Sequence, residues 1–378
     1  MTNSYEAVVA GHLCLDILPQ LAGIPAGEFL KLFAPGRLVE VGPASLMTGG
    51  PVSNTGLALH KLGIATRLMG KVGADLFGQA VSQIVASFGP GLADGMVVDP
   101  AVSTSYTVVV NPPGVDRMFL HCPAANDAFG AADVRYDVVA GGRLFHFGYP
   151  PLMRLMYADG GDQLSAIFRQ AKATGVTTSL DMALPDPSSA AGRADWPGIA
   201  AKTLPHVDVF LPSIEEILFM LRRPLYDALL AAATGGDILP LVTPHLLADL
   251  GDELLGLGAK IVALKLGYRG LYLRTTGRAA LAEMGRARPS DVAAWADREL
   301  WTPCFQVDVV GTAGSGDATI AGFLAGLLRD LPPEDAITMA VAVGACNVEA
   351  ADTLSGIRSW DETLARVAAG WQKRSDIY

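Results

Sequence analysis

The sequence predicts an α/β fold in which a mostly parallel sheet is flanked by helices and carries a small β-rich lid. Short runs rich in Val, Ile, Leu and Phe recur at Glu6–Gly11, Arg143–Gly148, Val176–Asp181, Val207–Leu211 and Lys260–Leu266, with helical-looking segments between them. That alternation is the pattern of strands covered on both faces. One stretch breaks it: Ser103–Asn111 and Arg117–Cys122 read as two extended strands joined by a Pro-Pro-Gly turn at Pro112–Gly114. The composition, 51% hydrophobic and 17% charged, is oily enough for a large core and too poor in charge for a disordered chain.

Each element then implies a place for chemistry. In open α/β sheets ligands gather beyond the carboxyl ends of the strands, which directs attention to Asp16, Gly148, Asp181, Ser213 with Glu216, and Gly267. The 103–122 hairpin, together with Ile17–Val41, suggests a projecting sheet over those strand ends, so residues 15–45 and 100–125 are expected to form the lid. Its outer face offers a surface to a second copy, and a homodimer through the lid is expected. The stretches 222–258 and 275–302 are polar and Ala-rich and read as helical decorations. The whole of 1–378 is expected to be one domain with the lid segments inserted in it.

Several function classes are excluded. The net charge of −10 is spread along the chain with no run of Lys or Arg to track a phosphate backbone, so nucleic acid is not an expected partner. Glu6 precedes the first apolar run, where a signal peptide would be basic, and no segment is long and uncharged enough to span a bilayer. The expectation is a soluble, cytoplasmic protein without membrane partners. Cys14, Cys122, Cys304 and Cys346 lie far apart and read as buried thiols. The six His residues show no HxH or HExxH spacing, which gives a zinc enzyme little support.

The most informative segment is Gly311-Thr312-Ala313-Gly314-Ser315-Gly316-Asp317, followed by the apolar helix-like stretch Ala318–Leu328. Glycines at a helix start let several backbone N–H groups point into one concavity, where the helix dipole also favours negative charge. Gly314, Ser315 and Gly316 are therefore a candidate anion hole. Asp317 has two readings: a helix cap, or a carboxylate that takes a proton from a hydroxyl attacking phosphorus. The segment is neither a P-loop, lacking Gly-Lys-Ser/Thr, nor a dinucleotide fingerprint.

The 311–317 segment resembles the C-terminal signature of the ribokinase and phosphofructokinase-B family, Asp-Thr-x-Gly-Ala-Gly-Asp. Gly49-Gly50-Pro51-Val52-Ser53-Asn54, then Leu62-Gly63 and Gly70–Gly78, is similar to the family's N-terminal signature. Lys265–Gly270 looks like its nucleotide-side strand and turn, and Ser213-Ile214-Glu215-Glu216 stands in the place of its Asn-x-x-Glu motif. The resemblance implies a ribokinase-like fold and ATP-dependent transfer of a phosphoryl group to a hydroxyl of a small sugar-like substrate. It implies Asp317 as base and Gly314–Gly316 as donors to the moving phosphoryl group. Glu216 is implied to place Mg2+, through water, and Gly267, Gly270 and Thr312 to bind the nucleotide. Asp16, Gly50, Asn54 and Asn126 are implied on the acceptor side.

Three positions depart from the family pattern. Gly311 replaces the signature's first Asp, which serves a monovalent cation site, so potassium activation is not expected. Ser213 replaces an Asn of the magnesium-water network. Gly148 stands where ribokinases proper carry a Glu near the pentose, which disfavours ribose. Two other readings remain: a nucleoside kinase of the same fold, with Tyr106, Phe119 or Tyr149 stacking on the base, and a kinase-like binding protein without turnover.

Overall fold

The computed structural model describes residues 5–21, 35–36, 38–111 and 118–375. Fourteen strands are found there: β1 (Ala7–Gly11), β2 (Cys14–Pro19), β3 (Ala44–Gly49), β4 (Thr66–Met69), β5 (Lys71–Gly73), β6 (Val97–Asp99), β7 (Tyr106–Val110), β8 (Met118–Cys122), β9 (Leu144–Gly148), β10 (Thr177–Leu180), β11 (Val209–Phe210), β12 (Ile261–Lys265), β13 (Leu271–Thr275) and β14 (Glu299–Thr302). Eight of them form one sheet in the order β14-β13-β12-β11-β10-β9-β1-β4. Neighbours from β4 to β12 run parallel, and β13 and β14 complete the far edge antiparallel. Each of the five apolar runs read in the sequence contains one strand of this sheet.

Strand alternation sorts side chains onto two faces. Val9, Leu144, Val209, Ile261 and Ala263 face a core shared with the helices Pro51–Lys61, Ser315–Leu328 and Pro333–Asn347. Val8, Ala10, Phe145, Phe147, Phe210, Val262 and Leu264 face a second core under Asp162–Ala173, Ile214–Leu221 and Pro244–Gly256. The result is helix, sheet, helix.

One expectation changes. The 275–302 stretch is helical only at Arg278–Ala282 and Val292–Trp295; its end is strand β14, paired along β13. Four residues are too few to show a period in the sequence, so the pairing partner decides. The four-residue edge strand β4 and the two-stranded β5–β6 pair, of three residues each, were also not legible.

A separate, smaller sheet of order β3-β2-β7-β8 stands beside the main one; β2, β7 and β8 fall largely within residues 15–45 and 100–125, while β3 runs past 45 to Gly49. The Pro112–Gly114 turn and much of Ile17–Val41 lie outside the described residues. Its register makes two rows. Met47, Asp16, Thr107 and His121 lie side by side across one face, while Leu46, Ile17, Val108 and Leu120 lie across the other.

Candidate active site

The site begins where β1 and β9 end, next to the point at which strand order reverses. Gly11 and Gly148 are paired there, and a Cβ on Gly148 would lie 2.4 Å from Pro51 Cβ, so the backbone of the strand end packs directly on the proline ring that opens the helix Pro51–Lys61. Gly50, just before that helix, has φ 88° and leaves room for the His12 ring. This seating aims Asn54 and Thr55 at the base candidate.

Asp317 lies in the first turn of Ser315–Leu328 but does not cap it. The helix starts at Gly314 in left-handed conformation without a side-chain cap. The carboxylate instead reaches across to three donors: Thr55 Oγ1 at 3.0 Å on Oδ1, and Asn54 Nδ2 at 3.1 Å and the Tyr149 hydroxyl at 2.9 Å on Oδ2. Burial raises its pKa, against the pull of Lys265 and these hydrogen bonds. Tyr149 is pushed well above its ordinary value by burial and by Asp317, so it stays a donor.

Lys265, at the end of β12, meets Asp181 Oδ1 at 2.5 Å. Burial alone would lower it, but Asp181, Glu216 and Asp317 around it keep its ammonium above the usual lysine value. A β-bridge between Ser213 and Lys265 brings in the helix Ile214–Leu221. Glu216 forms a capping box there, its Oε2 accepting from the Ser213 N–H at 2.6 Å. Asp181, Glu216 and Asp317 set three acids around one lysine; burial pushes Asp181 well above the usual carboxylate range, and its Oδ2 is buried without a partner. That donor set of hard oxygens fits Mg2+.

On the far side of Gly316 opens a cleft of about 640 Å³, lined by Lys265, Gly267, Gly270, Thr312, Ser315 and Gly316 among others. Gly267 (φ 51°) and Gly270 (φ 97°) make its turn. The first helical N–H groups, which have no partner within the helix, face an anion placed there. The structure therefore brings Gly267, Gly270, Thr312, Ser315 and Gly316 together at one cleft, with Gly314 and Asp317 next to them in the same helix start. Cys304–Val307, Gly344 and Arg374, which also line it, had no sequence signal. Neither did Thr55, nor Tyr149 as a partner of Asp317; both were reached only through the fold.

Asp16, on β2, has its carboxylate against Gly49, where a Cβ would fall 2.3 Å from Oδ2. Its pKa is raised by burial. Cys14 Sγ donates to it at 3.2 Å, and a polar chain continues through Thr107 Oγ1 to His121 Nδ1 at 2.9 Å and from His121 Nε2 to His12 Nε2 at 3.4 Å. His12, in turn, lies 6.4 Å ring to ring from Tyr149. Burial takes His12 down to about 3 and lowers His121. Asn126, expected in the acceptor pocket, is fully buried and spends both ends of its amide on Leu13, accepting from its N–H at 3.1 Å and donating to its carbonyl at 3.0 Å. It holds the β1–β2 connection in place.

Known proteins resemble this chain in sequence or in fold. A rice (Oryza sativa subsp. japonica) fructokinase-2 is 25% identical over 325 residues, covering 85% of this chain and 79% of its own. A Bacillus subtilis (strain 168) 2-dehydro-3-deoxygluconokinase is 25% identical over 357 residues, 93% of this chain and 96% of its own. Among solved structures, an ATP-bound fructokinase from Xylella fastidiosa superposes with a TM-score of 0.70 at 19% identity, covering 98% of this chain and 99% of its own. An Arabidopsis thaliana ribokinase with ribose and ATP gives 0.68 at 17%, covering 96% and 98%. The pfkB family carbohydrate kinase model matches residues 24–360, and the chain belongs to that family of ATP-dependent sugar phosphotransferases.

Proposed function

We propose that Asp317 is the base of this kinase and that its acceptor is a small sugar or sugar acid held between the polar face of the second sheet and the Gly49–Asn54 turn. The observation that carries this is the position of the Asp317 carboxylate: buried, tied to Asn54 and Tyr149, and in the same helical turn whose N–H groups border the nucleotide cleft. An acceptor hydroxyl would give its proton to Asp317 as its oxygen bonds to the γ-phosphorus. The bond from that phosphorus to the β-phosphate oxygen breaks, and ADP leaves.

Gly314, Ser315 and Gly316 receive the moving phosphoryl group, with the Lys265 ammonium beside Gly316 adding positive charge. Mg2+, held through Glu216 and Asp181, supplies charge neutralisation on the nucleotide phosphates when bound. Asp16 and Asn54 are the acceptor's hydrogen-bonding partners, Gly50 shapes the pocket wall, and Asn126 contributes through the position of Leu13. The second sheet acts as the lid. Its apolar row ends in Leu46 and Leu120, 51% and 62% exposed, and a second copy pairing on that face would cover them. No helix among the described residues is long and apolar enough to cross a membrane. A cytoplasmic setting, where ATP is supplied, also suits four free thiols.

The names of the relatives make D-fructose and 2-dehydro-3-deoxygluconate the first acceptors to try. Gly148 has no space for a larger side chain beside Pro51, so the Glu of ribokinases has no counterpart here. Tyr106 is packed against Phe77 at 5.4 Å and Tyr149 is tied to Asp317 through its hydroxyl, so a nucleoside acceptor would have to stack on Phe119, which is 60% exposed. An ATP-consumption screen over hexoses, ketoses, sugar acids and nucleosides tests the reading. Turnover with a ketose or keto sugar acid is expected; turnover confined to nucleosides would overturn the acceptor class.

A further inference from the structure

The polar chain on the inner face of the second sheet has a geometry that sugar binding alone does not require. His12, Cys14 and His121 each place a ligand atom within 4.8 Å of the others, although 109 positions separate the two histidines in the chain. They are gathered by register. Cys14 and Asp16 share a face of β2, Thr107 pairs with Asp16, and His121 pairs with Thr107.

The spacing of the imidazoles is the telling quantity. Their Nε2 atoms are 3.4 Å apart, wider than the mode of about 2.9–3.0 Å for an N–H hydrogen bond. A tetrahedral ion with bonds of about 2.0–2.1 Å to nitrogen holds two such atoms about 3.3–3.4 Å apart. The 2.9 Å contact between His121 Nδ1 and the Thr107 hydroxyl orients that ring from outside, as an outer partner does for a ligating histidine. When His121 Nδ1 carries the proton toward Thr107, its Nε2 lone pair faces His12. His12 Nδ1 is buried without a partner, so the ring's one polar contact is on the side toward His121.

We propose that His12, Cys14 and His121 bind one soft divalent cation, Zn2+ or a close equivalent, with a fourth position left to water. Two nitrogens and a sulfur select such an ion over magnesium, which takes the oxygens around Lys265. His121, on the edge strand β8, is exposed and gives the ion a way in, while His12 and Cys14 are buried. The ion would sit beside Asp16, whose Oδ1 is 3.2 Å from Cys14 Sγ, and would exclude the acceptor from that wall. This last consequence rests on the acceptor reading given above; the metal site does not.

The test uses the reduced, metal-free full chain and Co2+ as a spectroscopic probe, without nucleotide or sugar. One equivalent of Co2+ is expected to give tetrahedral ligand-field bands and a thiolate-to-cobalt charge-transfer band, both removed by Zn2+. Cys14→Ser should abolish the charge-transfer band. His121→Gln should weaken binding by more than about tenfold, the least that loss of even an outer partner tends to produce. Cys122→Ser, on the opposite face of the same strand as His121, should keep the wild-type spectrum. If Cys14→Ser fails to fold, His121→Gln carries the test, read also as loss of the Zn2+-dependent rise in melting temperature. Absence of stoichiometric binding, or binding unchanged in His121→Gln, would show that the cluster is only a hydrogen-bonded strip. Ion binding that leaves the acceptor KM untouched would retain the metal site and remove Asp16 from the acceptor wall.

Discussion

Asp317 illustrates how a side chain's partners can speak against one of two roles that look alike in sequence. A cap would direct its oxygens to N–H groups of its own helix; here they accept from Thr55, Asn54 and Tyr149 on other elements. Asp317→Asn should lower kcat by on the order of 100- to 10,000-fold, the usual range for general base catalysis, with nucleotide affinity changed much less. The hydroxyls of Thr55 and Tyr149 can turn to accept from the new amide, so the fold should hold. Stability gives a second readout. The folded pKa of Asp317 lies above the unfolded value near 3.8, so the stability linked to its proton is full below that value and is lost as pH rises through the folded pKa. Asparagine is neutral throughout, so the melting temperature of Asp317→Asn relative to wild type should climb as pH rises across that window. A flat difference would contradict the raised pKa. Tyr149→Phe removes one donor to the carboxylate and should move the acid limb of kcat/KM upward by about one to two pH units, the equivalent of a charged hydrogen bond of about 1.5–3 kcal/mol.

The contact between Gly148 and Pro51 ties a strand end to the helix that carries Asn54 and Thr55. Gly148→Ala places a methyl 2.4 Å from Pro51 Cβ, and something must shift. The helix start is the natural place for it, so turnover should fall even in protein that remains folded. Wild-type kcat with an unchanged melting temperature would show that the helix start tolerates the methyl. Leu264→Ala, on β12 in the second core, serves as the contrast: a loss of about 2–5 kcal/mol in denaturant unfolding is expected, with kcat largely retained in the folded fraction.

On the proposed reading the molecule as a whole takes its two substrates from opposite sides of one helical turn, and its ion demands follow from that arrangement. Gly311 offers no carboxylate, and a side chain there would begin 2.9 Å from the Ala350 carbonyl. Replacing sodium by potassium should therefore leave turnover unchanged, measured at saturating ATP and magnesium. Strong activation would mean that backbone carbonyls or Asp308 supply the missing ligand. If a second copy covers the Leu46 and Leu120 face, sedimentation should give a dimer mass, and Leu120→Glu should shift it toward the monomer; a wild-type monomer mass removes that pairing.

Local chemistry was legible wherever neighbours in the chain make the feature. The apolar runs read as strands because a strand buried on both faces needs nothing but its own residues to show it. Gly314–Gly316 read as a candidate anion hole because a helix start is built from consecutive residues. Short edge strands such as β4 and β14 escaped notice, since their hydrogen bonds come from partners far along the chain. Tyr149 on Asp317 spans 168 positions, and Asn54 on Asp317 spans 263. No spacing rule reaches that far; only closure of the sheet and the packing of Pro51–Lys61 on Ser315–Leu328 bring such groups within hydrogen-bond reach. The same holds for His12, Cys14 and His121, whose spacing in the sequence gave no hint of a shared site, and whose meeting is set by strand register across β2, β7 and β8.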